Sequence, residues 1–195
     1  NAVFGFTLDK KVSKDNGATF ATSTVTNPNT NVIYRLGLTK TGAALKNLLF
    51  FDMLPRDNVA TDYFMLNRPV SRGSQFDVLH QNFVSATPLS ASSSYANSVN
   101  ICLPDLSYSP GGCNTTTWTA AALSARNVKA NFGSSFMPTS TQQYDFRALV
   151  SASAQNSQKA CNTFAATAAA LMYINNANTD VNLTPSESNL ACVSI

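Results

Sequence analysis

Two charged side chains stand where the alternation of the sequence calls for apolar ones. Positions 47–55 read N-L-L-F-F-D-M-L-P, a buried-strand pattern stopped by Pro55, and Leu48, Phe50 and Asp52 share one face of it. A carboxylate in an apolar wall costs several kcal/mol unless it is paired, hydrogen-bonded or protonated, and burial alone pushes its pKa up. Asp52 is therefore expected either to be satisfied by a partner or to be kept for acid–base chemistry. Near the start, positions 3–12 read V-F-G-F-T-L-D-K-K-V, which puts Phe6, Leu8, Lys10 and Val12 on one face and Asp9 and Lys11 on the other. Lys10 is then a lysine snorkelling at a sheet edge or a buried one, and the pattern leaves both open.

Other chemistry finds little support. His80 is the single histidine, in the alternating D-V-L-H-Q-N-F, with no G-x-S-x-G nearby, so it is expected at a surface or interface rather than in a hydrolytic triad. No carboxylate pair is singled out among the ten acids, and no glycine loop could cradle a phosphate. Cys102, Cys113, Cys161 and Cys192 contain no C-x-x-C, and with one histidine a zinc site is not expected. No metal or cofactor is implied, and the chain is not expected to be an enzyme that turns over. Four cysteines allow three pairings, besides a reduced state in the core. The favoured pairs are Cys102–Cys113, closing the Pro- and Gly-rich loop L-P-D-L-S-Y-S-P-G-G, and Cys161–Cys192, tying two late strands in an oxidising compartment.

The elements that must position these residues read as short strands. Positions 32–40 alternate Val32, Tyr34, Leu36 and Leu38; further strands are expected at 62–70, 75–84, 127–136, 142–150 and 189–195. Turn signals stand at 15–17, 27–29, 41–42 and 175–178. Positions 85–97 read as a surface loop, and 115–124, T-T-T-W-T-A-A-A-L-S, as one short helix with Trp118 and Leu123 inward. Positions 160–174 are ambiguous, the alanines favouring helix and Thr163, Phe164, Thr167 and Tyr173 favouring strand. About nine strands with almost no helix predict one all-β sandwich over 1–195, with an insertion around 85–125.

Composition bounds the setting. Only 12% of the 195 residues are charged, against roughly a quarter in an average soluble domain, and Ser, Thr, Asn and Ala fill the gap as in exported β proteins. The net charge of +3 is spread singly, so no nucleic-acid partner is expected. The longest apolar segment, 164–174, falls short of the ~20 residues of a membrane span. Beginning at Asn1 with no signal peptide, the chain is expected to be a processed piece whose anchoring elements lie outside it.

In order along the chain stand L-D-K-K-V, V-I-Y-R-L-G-L, D-M-L-P, N-F-G-S-S-F-M-P, Y-D-F-R-A-L-V and A-C-N-T-F-A-A-T-A. This ordered set resembles the Ig-like, collagen-adhesin-like repeat domains of Gram-positive cell-wall-anchored adhesins and pilins. The four cysteines and the 85–125 insertion depart from that family's usual pattern and point to an actinobacterial-type source or a specialised domain. The resemblance implies an extracellular structural or adhesive module, flanked by neighbouring repeat domains of the same surface protein. It also implies a self-formed isopeptide bond between Lys10 and Asn162, with Asp52 as the proton shuttle that polarises the Asn162 carbonyl. A lysine desolvated among aromatic rings yields a neutral amine nucleophile, and a carboxyl beside it moves the protons as ammonia leaves. Asn182 and Asn189 are rival acceptors and Lys11 a rival nucleophile, while a plain Lys10–Asp52 salt bridge is the simpler alternative. Glu187, the single glutamate, lies in a polar S-E-S context, which favours an aspartate as the acid. The second functional reading is an adhesin that binds a host protein or glycan through 85–125, with Tyr95, Tyr108 and Trp118 as contact candidates.

Overall fold

A computed structural model of the chain describes residues 5–67, 70–98, 101 and 116–195. Where the sequence alternates cleanly, the strands form as expected: β1 (Gly5–Ser13), β3 (Asn31–Thr41), β4 (Leu45–Met53) and β8 (Thr141–Val150), with short β2 (Ser23–Val25) between the first two. They are followed or interleaved by β5 (Val78–Thr87), β6 (Ser92–Ala96), β7 (Asn127–Asn131), β9 (Lys159–Asn162), β10 (Phe164–Ile174), β11 (Ala177–Asn182), β12 (Ser186–Glu187) and β13 (Ala191–Ser194). One sheet runs β1-β3-β8-β5. A second runs β11-β10-β4-β7-β6, with β12 also on β10, and a small third runs β2-β13-β9. The architecture is the all-β, Ig-like sandwich expected, without a helix among the described residues.

The two large sheets close on one core. Tyr34, Leu36, Leu38, Phe146 and Val150 face Leu48, Phe50, Phe164 and Ala166, all essentially inaccessible. Phe50 meets Phe132 and Phe164 edge-on, at ring separations of 4.9 and 5.0 Å, a geometry that suits the ring quadrupoles. The other parity of β4 is covered as well: Phe51 and Met53 pack with Tyr63, Met65, Ile101 and Ala165 in a second cluster. β4 is thus buried on both faces, which is why its sequence reads as a near-continuous apolar run.

Several expectations change. The ambiguous alanine segment is strand β10, because it pairs β4 on one side and β11 on the other. In register, Ala165 lies opposite Phe51 and Ala166 opposite Phe50, so small side chains make room for large ones, and this cross-strand fit overrides helix propensity. Residues 116–124 form no helix; Thr119 instead bridges Tyr95 through two backbone hydrogen bonds of 2.8 Å. The segment expected as a loop at 85–97 carries the end of β5 and all of β6, which joins β7. Positions 62–67 form no strand beyond an isolated bridge of Tyr63 to Ser71, and 68–69 lie outside the described residues. Asn175 and Asn176 both adopt positive φ, 50° and 62°, the conformation a tight β-hairpin requires, and so close β10 onto β11.

Candidate crosslinking site

Each of the three sheets sends one polar side chain to the same buried point. Lys10 comes from β1, on the parity of the apolar residues, and is 0% exposed. Asp52 comes from β4, one step beyond Phe50 on the face that looks between the sheets, and is also 0% exposed. Asn162 is the last residue of β9, where the chain crosses from the small sheet into β10, and is 0% exposed too. Opposite Asp52 in the β4–β10 register sits Phe164, two residues on, which brings Asn162 beside the carboxylate.

Asp52 bridges the other two. Its Oδ2 accepts from Lys10 Nζ in a close charged contact, and its Oδ1 accepts from Asn162 Nδ2 at 2.9 Å. Lys10 Nζ also donates to the Thr163 carbonyl at 3.2 Å and lies 4.8 Å from the centre of the Tyr34 ring. Burial pulls the Lys10 pKa down to about 8, against the opposing pull of Asp52. The ammonium is thus closer to its neutral form than an exposed lysine. The backbone of Lys10 is held by a single side chain on the free edge of β1. Asn189 Oδ1 accepts from Lys10 N at 2.8 Å, and Asn189 Nδ2 donates to Lys10 O at 2.9 Å, mimicking a neighbouring strand.

The remaining oxygen of the asparagine faces an arginine that sequence reasoning missed. Arg72 Nη1 donates to Asn162 Oδ1 at 2.8 Å and to the Met53 carbonyl at 2.6 Å. Its Nη2 pairs with Asp62 Oδ1 at 2.7 Å, and Asp62 Oδ2 accepts from the Ser74 amide at 3.0 Å. Arg72 and Asp62 side chains are fully buried. Arginine offers only donors, so the atom of Asn162 that meets it must be the oxygen, and the amide nitrogen is left to Asp52. The carboxylate therefore holds the amide nitrogen, and the expected contact between Asp52 and the carbonyl oxygen is made by Arg72 instead. A lone arginine in S-R-G-S carries no local signal of this, since its partners are 10 and 90 positions away.

The other named residues fall as follows. Cys161 and Cys192 form a disulfide joining β9 to β13, directly before Asn162; Cys102 and Cys113 lie outside the described residues. Lys11 pairs with Asp9 at the surface at 3.0 Å, and Asn182 lies on exposed β11 opposite Ala169, so neither rival enters the buried point. Glu187 is not a solvated residue: it accepts from Thr163 Oγ1 at 2.5 Å and from the amides of Met65 and Leu66, fixing the turn after Asn162. His80, expected near the surface, is fully buried; it shares the inward parity of Val78, stacks on Phe146, and its Nδ1 is 2.9 Å from the Ala122 carbonyl. Of the ligand candidates, Tyr95 is only 5% exposed and packs on His80. Trp118 packs on Phe51 with Lys129 over its ring, and Tyr108 is outside the described residues.

No protein-family model matches the chain. No curated protein matches it either. Solved structures are similar to it at low identity. Over 97% of the chain it is similar to the full-length major pilin SpaD from Corynebacterium diphtheriae, with a TM-score of 0.47 and 11% identity, covering 34% of that chain. It is similar to the C-terminal domain of the Streptococcus pyogenes antigen I/II-family protein AspA, with a TM-score of 0.45, 13% identity and 97% coverage, over 46% of that chain. It is also similar to a 35 kDa C-terminal fragment of the major pilin GBS80 of Streptococcus agalactiae, with a TM-score of 0.44, 9% identity and 97% coverage, over 56% of that chain. The chain thus spans about a third to just over half of the length of these structures.

Proposed function

We propose that the chain is a structural module of a bacterial surface protein, locked by an intramolecular amide between Lys10 Nζ and Asn162 Cγ. The observation that carries this reading is the convergence of Lys10, Asp52 and Asn162 from three different sheets on one dry carboxylate. A salt bridge alone would not need an asparagine whose amide nitrogen rests on the other oxygen of the acid. The chemistry follows from the placement. Lys10 passes a proton to Asp52 and becomes a neutral amine; Nζ attacks Asn162 Cγ; Asp52 hands that proton on to Nδ2 and takes the second Nζ proton in its place, and the Cγ–Nδ2 bond breaks. One amine and one carboxamide become one secondary amide and one ammonia, with no external reagent. Held next to each other by the fold, the groups react as an intramolecular pair, which is how a weak electrophile such as a carboxamide becomes reachable.

An extracellular setting suits the Cys161–Cys192 disulfide, and neighbouring domains of the same wall-anchored protein are the partners such a module would contact. A strut is favoured over a ligand binder because Tyr95 and Trp118 are turned to the interior. Intact-mass spectrometry after full reduction tests the reading. The chain should weigh about 17 Da less than its sequence, one ammonia lost in the amide-forming step. A reduced mass equal to that of the sequence rejects the crosslink.

A further inference from the structure

We propose that Arg72 is a catalytic residue of the crosslinking step, the group that activates the Asn162 carbonyl and holds the oxyanion. This rests on the crosslink reading above and adds to it the electrophile's half of the chemistry. The acid at this site is already committed: one oxygen of Asp52 holds the nucleophile and the other holds the leaving nitrogen. Nothing is left of it to polarise the carbonyl. Without a donor on Oδ1, attack at Cγ would place a full negative charge on an oxygen in an apolar interior. Arg72 Nη1, 2.8 Å from Asn162 Oδ1, is that donor, permanently charged and aimed from the side away from Lys10's carboxylate partner.

The guanidinium is rigidly placed before any reaction occurs. Its Nη1 is also fixed by the Met53 carbonyl at 2.6 Å, and its Nη2 by the Leu54 carbonyl at 3.3 Å. Nε and Nη2 both reach Asp62 Oδ1, at 3.2 and 2.7 Å, and the Ser74 amide anchors the other oxygen of Asp62. Met53 and Leu54 directly follow Asp52, so the strand that carries the proton shuttle also orients the oxyanion donor. A preorganised donor of this kind stabilises developing charge with no reorganisation at the moment of reaction. In the balanced step, Nζ–Cγ forms as the C=O π electrons move onto Oδ1 beside Arg72. They return to carbon as Cγ–Nδ2 breaks, Nδ2 leaves as ammonia with the proton carried by Asp52, and Asp52 takes the second Nζ proton in exchange. Arg72 neither gains nor loses a proton overall.

The test follows chains made by cell-free translation under oxidising conditions at pH 7.5, sampled by mass from minutes to days. Because Arg72→Gln alone strands a buried Asp62, the main variant is the charge-neutral pair Arg72→Gln with Asp62→Asn, and Arg72→Lys is run beside it. Circular dichroism and the Cys161–Cys192 disulfide report that each is folded. Removing an oxyanion donor is expected to slow ammonia loss about 100-fold in the double variant, with Arg72→Lys in between. The slow reaction left in the double variant should be nearly independent of pH below about 8, the Lys10 value, because the proton Lys10 gives up stays on Asp52 and burial, the main cause of that value, is kept. Folded double variant that loses ammonia as fast as the unaltered chain overturns the role of Arg72. So does a slow variant whose rate keeps rising to about pH 10, the profile of a lysine opened to water by loosened packing. If the unaltered chain itself never loses ammonia, the crosslink reading fails first, which separates the two claims.

Discussion

Pulled between its two ends with the disulfide intact, the protein is expected not to unfold into an extended chain at all. The proposed amide would tie residue 10 to residue 162, and the disulfide ties residue 161 to residue 192, so the covalent path would run almost from end to end without crossing the sandwich. Load entering β1 would then pass through Lys10 into β9 and leave through β13, bypassing the sheets between. After reduction only the segment beyond Asn162 is released, about 110 Å of chain at full extension. In reduced Asn162→Ala protein the whole fold lies in the load path, and roughly 650 Å should be released. Single-molecule force spectroscopy reads these lengths directly; a reduced unaltered chain that releases the longer length contradicts the tie at residue 162.

Asp52→Ala carries the other large effect, because it removes both the proposed proton relay and the counter-charge of Lys10. The chain should keep its full sequence mass indefinitely, Lys10 having lost the group that takes its proton. Stability suffers twice. A buried ammonium stripped of its partner costs about 3–5 kcal/mol. Loss of a tie closing a loop of some 150 residues removes about 5 kcal/mol more on a chain-entropy account. For a chain of this length the melting midpoint should fall by roughly 20 °C. Lys10→Met with Asp52→Leu separates the two parts: it too lacks the crosslink, but an apolar pair of similar volume leaves no buried charge, so it should recover the smaller part of the loss. A melt in which Asp52→Ala matches the unaltered protein would sink the proposed role of the acid.

Much of this was written in the alternation of the chain. β1, β3, β4 and β8 each bury one face, so a two-residue period marks them, and a charge on the wrong parity marks Lys10 and Asp52. Asn162 was reachable only through the resemblance to surface adhesins, because an asparagine at a strand end is ordinary. What decides its environment is the crossing from β9 to β10, a long-range feature. Arg72 and Asp62 were illegible for the same reason: both lie in turns, and their contacts to Asn162, Met53 and Ser74 are made by the fold. The alanines of β10 misled because propensity is local, whereas their fit against Phe50 and Phe51 is cross-strand. His80 misled because one polar ring on an inward parity looked like a surface residue, yet the Ala122 carbonyl satisfies its Nδ1.

The central claim is a covalent bond between two named atoms, and peptide mapping of the unaltered, reduced and alkylated protein tests it most directly. Digestion at arginine and lysine is predicted to yield one branched species joining the peptide of Lys10 to the peptide of Asn162. Cleavage should fail after Lys10, and fragmentation should place the loss of one ammonia at that junction. Separate linear peptides, with Lys10 cleaved and Asn162 intact, would contradict the account.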